Sequence, residues 1–526
     1  MRRHKLTKAG RIVIFLLVAA IVIGVGGFAY TKMDMGSPMD IVKDILPEKD
    51  SSTDSGASEQ HTSVNLGKLD SKDESINLSL DEWIGWKPII DANQGLTTQP
   101  GSIFDKLGLK VNINVVNDAE ASSNALIKGD LNAAGYTTNR TAFLSGKFKD
   151  AGLRVVMPVF TNYSDGGDGI IAMNGINNIE DLVGKKIGVP KYSEAQTLVI
   201  WFVNKSDLPD SDKKQIIDNL ILMDDPEQCG QAFFAGKLDV AATWQPFLSN
   251  AEDSTNSHIL FSTAASNKLI MDGIVFRSDF AEAHPDVVSK FIDGIFQAES
   301  MYETEFEYIR KVMPMFADSS DQDIKDMCGD AGLMGYSENK IALEDDVLTV
   351  YTDMCDIWEA IGESVDRASS VDLFDSSYLT ALSDKYSSLA TKEVFEITEE
   401  QKQTAKDSVA LLSKSTMVTF VPNTAKFMNA AEADSELKEF VEIAKTLDGA
   451  IIQIEGNINS RNGVAGGQEL SEQRAKTVAK YLIANGIDAN RIITVGNDNK
   501  KPIVDPDAPD CEKNRRTDVF FKVLES

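Results

Sequence analysis

The sequence predicts an α/β protein with a smaller α+β domain at its C-terminus and one apolar helix at its N-terminus. Three observations lead there. From residue 76 onward, short period-two or apolar runs alternate with helical patterns, which is how strand–helix units around a mostly parallel sheet read in sequence. Residues 470–486 form one amphipathic pattern, with Leu470, Val478, Tyr481 and Leu482 on its apolar side and Asn-Gly at its end; strands at 491–495 and 517–523 follow. Residues 12–30 are uncharged and apolar, directly behind Arg2, Arg3, Lys5, Lys8 and Arg11.

The apolar run suits a bilayer core, which takes about 20 helical residues with a range of roughly 17–25. Its basic flank keeps the N-terminus in the cytoplasm. Residues 1–32 are therefore expected to be a cytoplasmic tip and a single-pass anchor in the cytoplasmic membrane, with the bulk of the chain outside. A cleaved signal peptide is the competing reading, since Gly27 and Ala29 are small enough for a peptidase. No Cys follows the run, which argues against a lipoprotein anchor. Residues 33–75 are rich in Ser, Asp, Glu, Lys and Gly and read as a flexible linker.

Within 76–390, "SINLSLDEW", "LKVNINVVN", "LNAAGYTT", "KKIGVP" and "LDVAATW" read as strands and "AEASSNALIKG" as a helix. Residues 391–414 are polar and helical, a connector to a last domain at 415–526. Length agrees, at roughly 150 residues per domain. The formal charge of −29 argues against nucleic acid and against an anionic membrane surface as partners. Four cysteines are too few for a disulfide framework, although Cys328 and Cys355 would pair if their helices were neighbours. The four histidines are scattered, without metal-ligand spacing and without a nucleophile–base set. No catalytic residue, metal or cofactor is expected, and no enzyme.

The segments "INLSLDEWIGWKPII", "IFDKLGLKVNINVV", "ALIKGDLNAAGYTTN", "INNIEDLVGKKIGVPKYSEAQTLV", "AFFAGKLDVAATWQPFLSNA", "HPDVVSKFIDGIFQA" and "VDLFDSSYLTAL" occur in that order over 76–390. This series resembles the solute-binding proteins of ABC importers in the nitrate/sulfonate/taurine group. The resemblance implies a two-lobed periplasmic-binding-protein fold, with lobe one holding roughly 76–165 and part of the chain after 265, and lobe two roughly 170–260. It also implies a small, anionic solute in the cleft and an ABC permease as partner. At 416–523, the Leu-Ser start, the Arg-Ala pair, the helix ending in Gly and the late Asn-Arg-Arg resemble the OmpA-like peptidoglycan-binding domain. That likeness implies contact with the cell wall. A structural or sensory envelope anchor is the alternative function.

Ligand sites in such folds lie at strand ends and helix N-termini, where unpaired N–H groups and the helix dipole gather. Thr137 and Thr138 after "AAGY", and Ser193 after "KIGVP", either donate to a ligand or simply cap the next helix. Trp244 in "ATWQP" either meets the ligand or packs at the hinge. Trp83 and Trp86 either clamp the solute or belong to the core of lobe one, and Asp272 either reads a cationic group or caps a turn. In the OmpA-like family an Asp and an Arg together hold diaminopimelate. Arg474 matches the Arg, whereas the Asp position carries Asn459 in "GNIN". Arg515 and Arg516 match the late Arg pair, of which one makes structural bonds near the site in that family; the resemblance puts Asn459, Arg474 and Arg516 at the peptidoglycan site.

Overall fold

The computed structural model describes residues 65–266, 268–387, 397–459 and 466–523. The expected anchor and most of the linker lie outside these residues. Among the described residues no helix is long and apolar enough to cross a membrane.

Eleven strands, Ile76–Leu80 (β1), Val111–Val115 (β2), Ala133–Thr137 (β3), Val155–Ser164 (β4), Asp168–Met173 (β5), Ile187–Pro190 (β6), Ile221–Met223 (β7), Val240–Trp244 (β8), Ser257–Ser262 (β9), Met271–Arg277 (β10) and Ala331–Leu333 (β11), build two sheets. One runs β11-β4-β10-β3-β1-β2 and the other β7-β6-β8-β5-β9. Each is the spine of one lobe, and the chain crosses between them twice, from β4 to β5 and from β9 back to β10. The sheets are mixed, where the sequence suggested mostly parallel ones. β1, β2 and β3 are parallel, and so are β6, β7 and β8. The strands flanking the two crossings pair antiparallel: β4 and β3 with β10, β8 and β9 with β5.

The core strands are buried on both faces, which is why β3 and β10 read as apolar runs without alternation. Helix starts are locally encoded. Asp118, Thr137, Ser193 and Asp225 each accept a backbone N–H in the turn that follows them. The linker ends earlier than the composition suggests. Gly67 N–H donates to Ile127 O at 2.8 Å, and buried Arg277 donates to Gly67 O at 2.9 Å. Cys328 and Cys355 are both buried free thiols, so the conditional pairing does not occur.

The C-terminal module has Leu412–Thr416 (β12), Ile451–Gly456 (β13), Ile492–Gly496 (β14) and Thr517–Lys522 (β15) in the order β12-β15-β13-β14. β12 begins inside the segment expected to be a connector helix; the helix there spans Glu399–Asp407. The long helix Gly467–Ala484 starts three residues before the sequence pattern suggests, because Gly466 at φ 81° turns the chain into it. Gly456 and Gly496 stand opposite each other in the parallel register of β13 and β14. A Cβ on Gly456 would meet Ser471 O at 2.0 Å, and one on Gly496 would meet Gln468 O at 2.5 Å. These two glycines let the long helix lie directly on the sheet.

Gly456→Ala should therefore destabilise the module by about 1–3 kcal/mol through overpacking. Gly152→Ala, where φ is 71° and no atom lies within 4 Å, tests backbone strain alone. Thermal unfolding of both variants checks this, and a larger loss at Gly152 would contradict the packing account.

Candidate functional site

The C-terminal ends of β1 and β3, the start of β10 and the N-terminus of the helix Glu194–Lys205 converge on one polar cleft. Its volume is about 380 Å³ including its open mouth. Crevices outside the carboxyl ends of strands are where open α/β sheets bind ligands.

Glu194 comes from lobe two and reaches lobe one. Thr137 Oγ1 donates to its carboxylate at 2.8 Å, and Arg140 Nη2 bonds it at 3.1 Å. Thr137 also caps its own helix by accepting from Arg140 N at 2.8 Å, so one hydroxyl serves cap and bridge together. Burial pushes the Glu194 carboxyl up, but Arg140 and Thr137 outweigh it and hold the group below its ordinary value. Asp272 at the start of β10 is 4% exposed and accepts from Trp83 Nε1 at 3.2 Å. Burial, then the nearby carboxylates of Asp81, Glu194 and Asp168, push it well above the usual carboxylate range. Asp81 is open to the cleft and accepts from Trp86 Nε1 at 2.5 Å. Asp168, bound by Ser164 Oγ at 2.8 Å, is raised by burial to about 7.

Of the residues singled out in the sequence, Thr137, Trp86 and Asp272 line the cleft. Trp83 stands behind Asp272, its indole N–H shared with Asn162 Oδ1 at 2.9 Å. Thr138 is fully buried beneath the cleft. Ser193 spends its hydroxyl internally, donating to Pro190 O at 2.7 Å and accepting from Gln196 N at 3.2 Å, which is the capping alternative. Trp244 ends β8, opposite Asp168, and packs against the second-lobe cluster of Phe233, Leu238 and Phe247, away from the cleft lining. Asp81, Arg140 and Glu194 were not singled out. Each lies within three residues of one that was, but a lone acid after a strand carries no sequence signal of its own.

The NMT1/THI5-like family model matches residues 102–301 and the OmpA family model residues 419–516. The chain joins an NMT1/THI5-like domain to a C-terminal OmpA domain. Among relatives, a protein of Brucella abortus named as a binding protein is 24% identical over 202 residues, covering 38% of this chain and 59% of that one. A protein of Bacillus subtilis named as an aliphatic sulfonates-binding protein is 24% identical over 152 residues, 29% of this chain and 43% of that one. Outer membrane protein A of Bordetella avium is 36% identical over 84 residues, 16% of this chain and 43% of that one. The chain thus spans about three-fifths or less of the length of these relatives. Solved structures that align with this chain include the periplasmic aliphatic sulphonate binding protein of Escherichia coli, at TM-score 0.45 and 14% identity over 58% of this chain and 99% of that one. The periplasmic nitrate-binding protein of Synechocystis follows at TM-score 0.41 and 11% identity over 60% and 89%.

In the OmpA domain, Arg474 donates from Nε to Thr424 O at 3.1 Å, with its guanidinium 4.9 Å from the centre of the Phe420 ring. Burial, then the neighbouring charge of Arg515, pulls its pKa down. Asn459 accepts from Asn514 Nδ2 at 3.3 Å. Arg516, placed at the peptidoglycan site by the resemblance, is buried and donates inside the domain, to Asp518 at 2.8 Å and to Lys501 O at 3.1 Å.

Two outcomes follow for the cleft. Glu194→Gln keeps an acceptor for Thr137 and loses the ion pair; it should cost about 1–3 kcal/mol, the scale of a charge-assisted bond, and enlarge the radius of gyration by X-ray scattering. Asp168 holds a proton in the folded chain that the unfolded chain, at its ordinary 3.8, has released. The folded state binds more protons between about pH 4 and about pH 7, so stability falls as pH rises through that window. Asp168→Asn should flatten that fall in denaturant titrations, while an unchanged slope would place the proton elsewhere.

Proposed function

We propose that this chain is an extracytoplasmic solute-binding protein that captures a small molecule between its two lobes for an ABC importer, tethered to the cytoplasmic membrane by residues 12–30. The observation that carries this is the cleft itself: polar groups from both lobes, on elements connected by two crossings, converge on one open cavity. The names of the Brucella and Bacillus relatives support the same reading. No step of it needs catalysis. The OmpA domain would set the protein against the cell wall, with Arg474 taking a stem-peptide carboxylate. A second reading, a sensory anchor that reports occupancy, draws on hydrogen bonds from the OmpA domain to lobe two, Ser415 N–H to Asp207 at 2.6 Å, and to the return crossing, Gly449 N–H to Ala265 O at 3.0 Å.

Thermal unfolding of the full chain against nitrate, sulfonates, taurine, phosphate, thiamine precursors, amino acids and amines tests the first reading. A true ligand at a hundred times its dissociation constant adds about 2.7 kcal/mol. At roughly 2–4 °C per kcal/mol this is a rise of several degrees. A flat response by folded protein would move the balance to the sensory anchor. For the wall, Asn459→Asp restores the carboxylate that pairs with an ammonium. It should raise retention on diaminopimelate-type sacculi about tenfold, since a charge-assisted bond exceeds a neutral one by about 1–1.5 kcal/mol. Equal retention would mean that the module does not use this position.

A further inference from the structure

We propose that the cleft takes a solute carrying an organic ammonium group, held by the carboxylates of Asp81 and Asp272 beside the rings of Trp86 and Tyr136. This rests on the solute-binding reading and names its ligand class, opposite in charge to the sulfonate or nitrate that the sequence resemblance implies.

The charges decide it first. Asp81, Glu194 and Asp272 line the cleft, and among the described residues lining it Arg140 is the one cation. Arg140 is committed, with Nε and Nη2 both on the Glu194 carboxylate. The place where an anion would be held is also taken. Glu194 sits across the N-terminus of the helix Thr138–Ala151, on the hydroxyl of its cap Thr137 and on Arg140 in its first turn, so the protein's own carboxylate satisfies that dipole. An entering sulfonate would meet the acidic side chains of Asp81 and Asp272, and a guanidinium whose Nε and Nη2 are already on Glu194.

An ammonium meets the reverse. Among the described residues, Asp272 has Trp83 Nε1 as its hydrogen-bond donor and Asp81 has Trp86 Nε1, while Arg140 acts on Asp81 through space only. A second, independent feature points to a ligand. Ser79, 2% exposed, lines the cavity and its Oγ has no hydrogen-bond partner. Buried hydroxyls are normally satisfied, so this one is an acceptor or donor held for something that enters. Trp86 and Tyr136, both almost fully buried, line the same cavity, and a cation that reached a ring face there would gain attraction to it. A metal ion fits less well: among the described residues no group of three His, Cys, Asp or Glu could hold one.

The test uses the full chain with choline, putrescine and propylammonium as cationic probes and nitrate and propanesulfonate as anionic ones, read by thermal unfolding and equilibrium binding. At least one ammonium probe should stabilise the protein and both anions should be silent. Asp81→Asn and Asp272→Asn should each weaken that probe tenfold or more. Because Asp272 is buried, Ser79→Ala provides the variant that keeps the fold: its ligand-free midpoint should stay level or rise, while probe affinity falls. Stabilisation by nitrate or propanesulfonate and by none of the amines would overturn the ammonium site and leave the solute-binding reading standing. Silence toward every solute class would overturn both. Ammonium binding indifferent to Asp81→Asn and Ser79→Ala would place the ligand outside this cleft.

Discussion

The bridge from Glu194 to Thr137 and Arg140 sets the relation between the lobes, and the character of the cleft follows from it. It is one carboxylate from lobe two answered by a hydroxyl and a guanidinium from lobe one. Arg140 and Glu194 are 25% and 18% exposed, shielded enough for the pair to count and open enough for solvent or a ligand to compete. Because Glu194 holds Nε and Nη2 of the cleft's cation, Arg140 reaches Asp81 only through space, and burial drives Asp272 toward its protonated form. The same contact that bridges the lobes therefore leaves the cleft acidic.

The architecture was legible because it is written locally. Strand–helix alternation, caps such as Asp118 and Thr137, and the amphipathic pattern after residue 467 are each decided within a few residues. Strand direction was less so: β10 pairs with β3 and β4 only after the chain has visited the other lobe. The site was legible only in outline. Thr137, Trp86 and Asp272 stood out as strand-end and aromatic residues, but their partners are distant in sequence. Glu194 is 54 residues from Arg140, and Trp83 is 189 from Asp272. No local pattern reports such a meeting. Ser193 shows the opposite case: the strand-end serine expected to meet a ligand or cap its helix spends its hydroxyl on the cap.

The OmpA domain bears on how the cleft can work. Leu411, Ser415, Thr446 and Gly449 hydrogen-bond to Ile179, Asp207, Ser266 and Ala265, respectively. Ile179 and Asp207 belong to lobe two, while Ala265 and Ser266 lie on the return crossing to lobe one. Gly449 is placed so closely that a Cβ there would stand 3.0 Å from Ala265 Cα. Contacts this short resist sliding, because packed interfaces do not deform continuously. A hinge motion about the crossings would thus carry lobe one, with Asp81, Thr137, Arg140 and Asp272, against a heavier unit of lobe two and the OmpA domain that presents Glu194. The breaking strain of that motion falls on the ion pair, since Arg140 and Glu194 sit on opposite sides of it. A ligand held by Asp81 and Asp272 touches lobe one alone, so it would favour closure only through contacts that also reach Glu194 on lobe two.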